Sequence, residues 1–357
     1  MIKRQEHLSG FFPIHVQIEV TWKCNWRCVH CYQDNHNIQA LDTVTLERLF
    51  KELAANGTLH IIITGGEPLV RKDIFELLET IKHLGIATTL YSNGHKIDKP
   101  TADRLSSLIA VAELSLLAGT AEIHDSLSAI KGSFDKTVAA IKNLTENGIK
   151  VILKTPVLKP AYHTLKTLEN MANDLNIEWY PDTEISRSYA GADYALQYHL
   201  SFNEIQKFFE QFPRFNPSFG FNTDPGVKKG LCLAGRQYCF IDAMGNVYPC
   251  LNFKSACDVL EKAGKNPVAK LGNILYEPFA EIWKPKGVLE EIRNATIDSF
   301  KVCRTCKSGN GCKPCMALNY EENDVLFRPA KTVCNFTKAG RLLLDPAFQP
   351  ASEQVMA

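Results

Sequence analysis

The chain has 357 residues, 45% of them hydrophobic and 22% charged, which is ordinary for a soluble globular protein of two or three domains. Its 40 basic and 39 acidic side chains leave a net charge of +1, so the composition points to no nucleic-acid partner and no acidic tail. The N-terminal MIKRQEHLSGFF lacks the apolar stretch of a signal peptide, and the most apolar segment, LIAVAELSLLAG, is short and broken by Glu113. A cytoplasmic protein that uses no membrane is therefore expected.

From about residue 14 to residue 180, short β-like runs alternate with helical patterns. HVQIEVT predicts a strand in which Val16, Ile18 and Val20 alternate. TLERLFKELAAN predicts a helix, with Leu46, Leu49, Phe50 and Leu53 on one face and Gly57 as a stop. LHIIITGG is a nearly continuous apolar run, suited to a strand buried on both faces of a parallel sheet. DIFELLETIKHLG predicts the next helix. IATTLYSNG, VAELSLL, IKVILKTPV and IEWYP predict further strands, with helical patterns at 100–109, 134–147 and 163–175. Six such repeats imply an α/β fold with a parallel sheet. They are too few for a closed eight-stranded barrel but enough for a partial (β/α)6 TIM-like one. In parallel βα folds chemistry gathers at the carboxyl ends of the strands. Here those ends carry Cys24, Cys28 and Cys31, then GGEP, then SNG.

Past residue 181 the pattern fails. PDTEISRSYAGADYALQYHL reads as a polar loop. SFNEIQKFFEQF reads as a helix with Ser201 and Glu204 in a capping box, and PRFNPSFGFNTDPG as a linker. Beyond it, cysteines, glycines and short segments predict a fold organised by metal more than by a hydrophobic core. The expected divisions are an N-terminal extension over 1–13, the partial barrel over 14–200, a bridging helix and linker over 201–230, a small cysteine-rich domain over 231–335 and a tail over 336–357.

The twelve cysteines are segregated: three in Cys24-x3-Cys28-x2-Cys31, none in the next 200 residues, and nine between Cys232 and Cys334. Disulfides are rare in cytosolic proteins, so this pattern predicts two thiolate-rich metal regions. Three thiolates on a short loop can hold three irons of a [4Fe–4S] cube and leave the fourth open to a small molecule, whereas electron-transfer clusters use four cysteines. A zinc site is the alternative.

CNWRCVHCY after a first strand resembles the signature of radical S-adenosylmethionine (SAM) enzymes. The resemblance implies that SAM chelates the open iron through its amino and carboxylate groups. It also implies reductive cleavage to a 5′-deoxyadenosyl radical, which abstracts hydrogen from an unreactive C–H bond. His30 occupies the position, usually aromatic, that touches adenine. Gly65, Gly66, Glu67 and Pro68 look like the family's motif for the SAM amino group. Physically, the glycines allow close backbone approach to a ligand, and Glu67 offers an acceptor to an ammonium; a simple turn is the alternative. Ser92 and Asn93 look like the ribose contact, with an Asn-Gly turn as the alternative. ELSLLAGTAEIHDSLSAIKGSF is similar to a run common in the peptide-modifying branch, with Leu117-Ala118-Gly119 replacing its usual aspartate; Ser115 remains a candidate SAM contact. Lys154 and Arg187 are candidates for the SAM carboxylate, with solvated surface charges as the alternative.

The C-terminal cysteines resemble the SPASM domain, except that Cys312 and Cys315 are separated by two residues instead of three. The resemblance implies two auxiliary [4Fe–4S] clusters. Cys232, Cys239, Cys250 and Cys315 would hold one, and Cys303, Cys306, Cys312 and Cys334 the other, with Cys257 a substitute for Cys239. Two zinc sites, or a plain ferredoxin-like carrier, are the alternatives. If Cys257 is no ligand, it is either a small buried hydrophobe or a hydrogen donor to a carbon radical, as in members that epimerise a peptide residue.

Sulfatase maturases of this family carry an aspartate where this chain has Leu251. Haem-pathway members share triads like CVHCY, and EISRSYAGADYALQYHLS looks more like the peptide maturases. The expected activity is therefore that of a radical SAM oxidoreductase or maturase that crosslinks or epimerises a ribosomally synthesised peptide. An enzyme acting on a small molecule such as a tetrapyrrole is the second reading, and a non-catalytic iron–sulfur or zinc protein the third. Expected partners are the peptide and a low-potential electron donor such as flavodoxin or ferredoxin. About a dozen residues precede the first strand, so the leader-gripping winged-helix-like module of many relatives is not expected. A separate leader-peptide-binding protein would supply it, or the core binds peptide directly.

Overall fold

The computed structural model describes residues 12–37, 41–185, 187–189, 192–216, 232–304, 306, 312 and 314–344. The expected N-terminal extension up to residue 11, the linker over 217–230 and the tail beyond 344 lie outside the described residues. β1 (His15–Glu19) is followed by α1 (Thr43–Ala55), β2 (His60–Thr64), α2 (Ile74–His83), β3 (Ala87–Ser92) and α3 (Lys99–Ser106). Then come β4 (Val111–Ser115), α4 (Ala121–Ser128), α5 (Ser133–Glu146), β5 (Lys150–Pro156), α6 (Leu165–Asp174) and β6 (Glu178–Asp182). These six strands lie side by side in chain order, and each neighbouring pair is parallel.

Local chemistry sets the elements. Asp42 caps α1 by accepting from the Thr45 N–H, and Leu46, Leu49, Phe50 and Leu53 turn inward. Each such side chain, fully buried, contributes roughly 2 kcal/mol. α7 (Phe202–Gln211) carries the expected capping box between Ser201 and Glu204. It buries Phe208 and Phe209, the latter edge-on to Phe336 at 5.2 Å.

The C-terminal part contains β7 (Tyr238–Ile241), β8 (Asn246–Tyr248), α8 (Leu251–Lys262), β9 (Gly272–Asn273), α9 (Gly287–Asn294), α10 (Met316–Asn323) and α11 (Lys331–Leu342). β7 pairs in parallel with β1, His15 opposite Tyr238 and Ile18 opposite Ile241, and β8 and β9 extend the edge antiparallel. The result is one nine-stranded sheet in the order β6-β5-β4-β3-β2-β1-β7-β8-β9. It crosses the expected division at residue 230.

The expectation of a metal-organised C-terminal part with little core needs correction. Successive strand residues face opposite sides. Cys239 and Ile241 join the main core, while Phe240 joins a second one with Tyr248, Phe253, Leu260, Phe300 and Tyr320. Among the described residues no helix is long and apolar enough to cross a membrane.

Candidate active site

The triad loop leaves β1 and is clamped at once by the turn after β2. Gly66 N–H donates to the Thr21 carbonyl (2.8 Å) and Glu67 N–H to the Lys23 carbonyl (2.9 Å). Gly65 has φ +142°, and a Cβ there would lie 2.1 Å from the Thr21 oxygen; one on Gly66 would lie 2.4 Å from the Lys23 oxygen. The glycines thus let β2's turn touch the backbone that leads into Cys24, and both also line the cavity described next. Within the loop, Trp26 N–H points at Cys24 Sγ (3.4 Å) and Cys31 N–H donates to the Cys28 carbonyl (3.0 Å).

Cys24, Cys28 and Cys31 are half-buried, form no disulfide and line a cavity of about 350 Å³ at the carboxyl ends of the strands. Burial pushes the Cys24 thiol up and the Cys31 thiol up to about 11. Thiolates there need a strong local positive charge, which iron supplies. His30 lines the same cavity. Burial holds it down to about 4, so it is neutral at pH 7, and its Nδ1 has no hydrogen-bond partner. Three thiols and one unsatisfied imidazole nitrogen around a cavity fit a cluster with a ligand beside it. Among the described residues no three His, Cys, Asp or Glu side chains are grouped to hold one bare metal ion. A cube spreads its thiolates over separate irons.

The other expected site residues divide. Ser115 and Lys154 line the cavity, Lys154 also pairing with Glu113 (3.5 Å). Ser92 and Asn93 line it too, but both are tied to Glu67. The fully buried Glu67 carboxylate accepts from Leu69 N–H (3.0 Å), Asn93 N–H (2.8 Å) and the Ser92 hydroxyl, whose Oγ stands 2.9 and 3.1 Å from its two oxygens. A carboxylate offers about four acceptor positions. In this structure Glu67 therefore ties the end of β2 to the end of β3: three donors, the Ser92 hydroxyl shared between both oxygens, occupy most of its acceptor capacity. Pro68 opens the single turn Pro68–Val70 capped by Glu67 and lies outside the cavity wall. Arg187 is also outside it, pairing with Asp193 (2.7 Å) and with Glu321 of α10 (2.8 Å).

Among the C-terminal cysteines, Cys250 lies within electrostatic reach of Cys232, Cys239 and Cys315. Cys312 Sγ accepts from Thr337 on α11, the helix that carries Cys334 (3.3 Å), and Cys306 N–H donates to the Cys303 carbonyl (3.3 Å). Cys257 stands apart. It is 1% exposed in the second core, its charged neighbours are Asp258, Glu261 and Lys254, and it lines neither of the cavities described here.

Sequence reasoning missed a buried polar cluster beneath the triad loop. Glu19 is fully buried and accepts from Trp22 Nε1 (2.6 Å), Tyr189 Oη (2.8 Å) and Gln33 Nε2 (3.2 Å). Burial pushes it up to about 7 against the pull of the Trp22 and Tyr189 hydrogen bonds. Lys254 of α8, also buried, sits 3.8 Å from the Tyr189 ring centre and bonds Asp258. The cluster joins the loop to α8, whose N-cap is Cys250. A second hollow of about 370 Å³, between the β6 loop and α8, α10 and α11, shares Glu184, Ile185 and Asn252 with the first cavity.

Residues 18–175 match the family model described as the radical SAM superfamily, and residues 232–307 the one described as SPASM, an iron–sulfur cluster-binding domain. The chain is a radical SAM protein with a SPASM domain. As such it is an iron–sulfur enzyme whose cofactors are SAM and [4Fe–4S] clusters. The AdoMet-dependent heme synthase of Methanosarcina barkeri is 27% identical over 359 residues, covering 89% of this chain and 98% of that protein. The antilisterial bacteriocin subtilosin biosynthesis protein AlbA of Bacillus subtilis is 27% identical over 344 residues, covering 92% and 72%. The crystal structure of Streptococcus suis SuiB bound to precursor peptide SuiA shares the fold of this radical SAM protein, with a TM-score of 0.64 at 20% identity over 93% of this chain and 78% of that one.

Proposed function

We propose that this radical SAM enzyme is a peptide maturase. It would take hydrogen from a residue of a ribosomally made peptide and leave a crosslink or an inverted centre. The observation that carries the reading is the joined pair of cavities. The first meets the triad, and the second continues from Glu184 and Asn252 between barrel and SPASM helices, giving room for an extended chain. AlbA, named for the biosynthesis of a bacteriocin, supports it. Cys24, Cys28 and Cys31 would hold the SAM-binding cluster, where cluster and SAM together supply the hydrogen abstraction. Gly65, Gly66, His30, Ser92, Asn93 and Ser115 would wall the SAM site. Glu67 would act by positioning Ser92 and Asn93, and Pro68 by setting the turn. Cys232, Cys239, Cys250 and Cys315 would hold one auxiliary cluster, and Cys303, Cys306, Cys312 and Cys334 the other. A flavodoxin or ferredoxin would supply electrons, and a separate protein would present the leader peptide.

A second reading, action on a tetrapyrrole, is favoured by the heme synthase relative at equal identity. Anaerobic co-expression with the short peptides encoded nearby, in light and heavy water, separates the two. Loss of two hydrogens indicates an oxidative crosslink. One deuterium gained only in heavy water indicates epimerisation. An unaltered peptide with SAM still cleaved rejects the peptide reading in favour of the small molecule.

A further inference from the structure

The run from Leu117 to Phe134 carries none of the roles assigned above, yet it holds the triad loop. The last carbonyls of α4 receive that loop: Arg27 N–H donates to Ser128 O (3.0 Å) and Val29 N–H to Leu127 O (2.9 Å). α4 stops there because Ala129 is left-handed at φ 55°. Asp125 pins the following turn by accepting from Gly132 N–H (2.5 Å), Phe134 N–H (2.9 Å) and Ser133 Oγ (2.9 Å).

His124 is fully buried and its Nδ1 accepts the Leu117 N–H (3.1 Å). The neutral ring then carries its proton on Nε2, which has no hydrogen-bond partner. The ring stands perpendicular to Trp26, centres 5.3 Å apart at 87°, with Phe134 at 5.6 Å. Trp26 lies between Cys24 and Cys28, is 2% exposed, and donates its indole N–H to His95 Nδ1 (3.3 Å). A perpendicular ring edge on an indole is an attractive contact.

We propose that His124 is a positioning residue for the iron–sulfur cluster. Acting through Trp26, and with the Leu127 and Ser128 carbonyls, it forms the socket that seats the triad loop and keeps the cluster's reduction potential low. Removing the His124 ring takes away the edge contact that holds Trp26, and with it the loop, down on α4; two physical effects then set the direction. The Arg27 and Val29 amides are spent on α4 carbonyls, so they cannot donate to cluster sulfurs, and hydrogen bonds to those sulfurs help set the potential. The loop also faces the carboxyl end of α4, whose partial negative charge opposes an added electron.

The inference rests on the triad loop holding the cluster, and the experiment keeps the two apart. The reconstituted full-length chain is titrated potentiometrically by EPR, following the reduced signal that changes on adding SAM. Cys24→Ala should remove that signal; if it persists, the cluster assignment fails and this inference with it. His124→Leu should keep the signal but raise its midpoint by about 59 mV, a tenfold change in a one-electron equilibrium. Phe134→Leu, which removes the second aromatic ring against His124 and leaves the His124–Trp26 pair in place, should leave the midpoint unchanged. A merely structural role would lower thermal stability in both variants and move neither potential. An unmoved midpoint in His124→Leu, or an equal shift in Phe134→Leu, overturns the proposal. If His124→Leu does not fold, His124→Asn, which retains an acceptor near the Nδ1 position for Leu117 N–H but no ring against Trp26, decides in the same way.

Discussion

Gly65→Ala tests the clamp between β2's turn and the triad loop. At φ +142° the backbone is in a region that L side chains avoid, which costs on the order of 1–3 kcal/mol. The added Cβ would also stand 2.1 Å from the Thr21 carbonyl oxygen, a backbone atom that cannot rotate away. Relieving that overlap means moving one backbone segment against the other, at roughly 1–3 kcal/mol for overpacking, and stretching the Gly66–Thr21 hydrogen bond. About 3 kcal/mol in total is expected. For 357 residues, at about 2 cal/mol/K per residue, that lowers Tm by roughly 4 °C. Gly85→Ala is the control: its φ is +73° but nothing lies within 4 Å of the new Cβ, so only the conformational cost of about 1 kcal/mol remains. Differential scanning of the two variants, with iron content at the triad measured alongside, isolates the contact. If Gly65→Ala unfolds no earlier than Gly85→Ala and binds iron normally, the clamp is not what these glycines provide.

Cys24→Ala, Cys28→Ala and Cys31→Ala should each abolish 5′-deoxyadenosine formation while roughly eight irons' worth of auxiliary cluster remains, four per cluster; normal SAM turnover in any of them would end the triad assignment. Lys254→Met should destabilise by about 3–5 kcal/mol because it strands the buried Asp258, and adding Asp258→Asn should recover most of that; additive losses in denaturant titrations would contradict it. Glu19, raised from 4.5 to about 7 by burial, contributes stability that is fully present below pH 4.5 and lost as pH rises through 7. Glu19→Gln should therefore gain about 3 kcal/mol on the parent between pH 4.5 and 8, and a gain in the opposite direction would refute the assignment. Cys257→Ala should cost about 1 kcal/mol of stability and leave deuterium incorporation into peptide intact; loss of incorporation with SAM cleavage unaffected would restore the thiol as hydrogen donor.

The barrel was legible because its signals are local. Ile61 to Ile63 form an apolar run ending in glycines, and Ser201 with Glu204 writes a capping box into four residues. The triad and the glycine turn were legible for the same reason. α8 was missed although Phe253, Ala256, Cys257 and Leu260 recur at helical spacing, since the surrounding cysteines drew the reading toward metal. Gln17 and Glu19 alternate with Val16, Ile18 and Val20, a pattern that ordinarily means a solvated face. Both are buried, because β1 is covered on its second face by the triad loop and Tyr189. The tie that Glu67 makes was illegible for a comparable reason: its three donors come from residues 69, 92 and 93, and only the fold brings β3 to it. His124 drew no notice in the sequence, and nothing local tells that its ring meets Trp26.

The pairing of β7 with β1 has a consequence for synthesis. His15 and Tyr238 are partners across the sheet, yet more than 200 residues separate them in the chain. At 5–20 residues per second a ribosome needs roughly 10–45 s to deliver the second after the first. Through that interval β2 can cover one side of β1, while the other side presents unpaired backbone flanked by Val16 and Ile18, a template for any passing strand. A ribosome stalled before β7 would leave the barrel's first strand open at the edge that the SPASM part later occupies. Such truncated chains should therefore aggregate, and the yield of folded protein should depend on how quickly the C-terminal third is translated, before any iron is inserted.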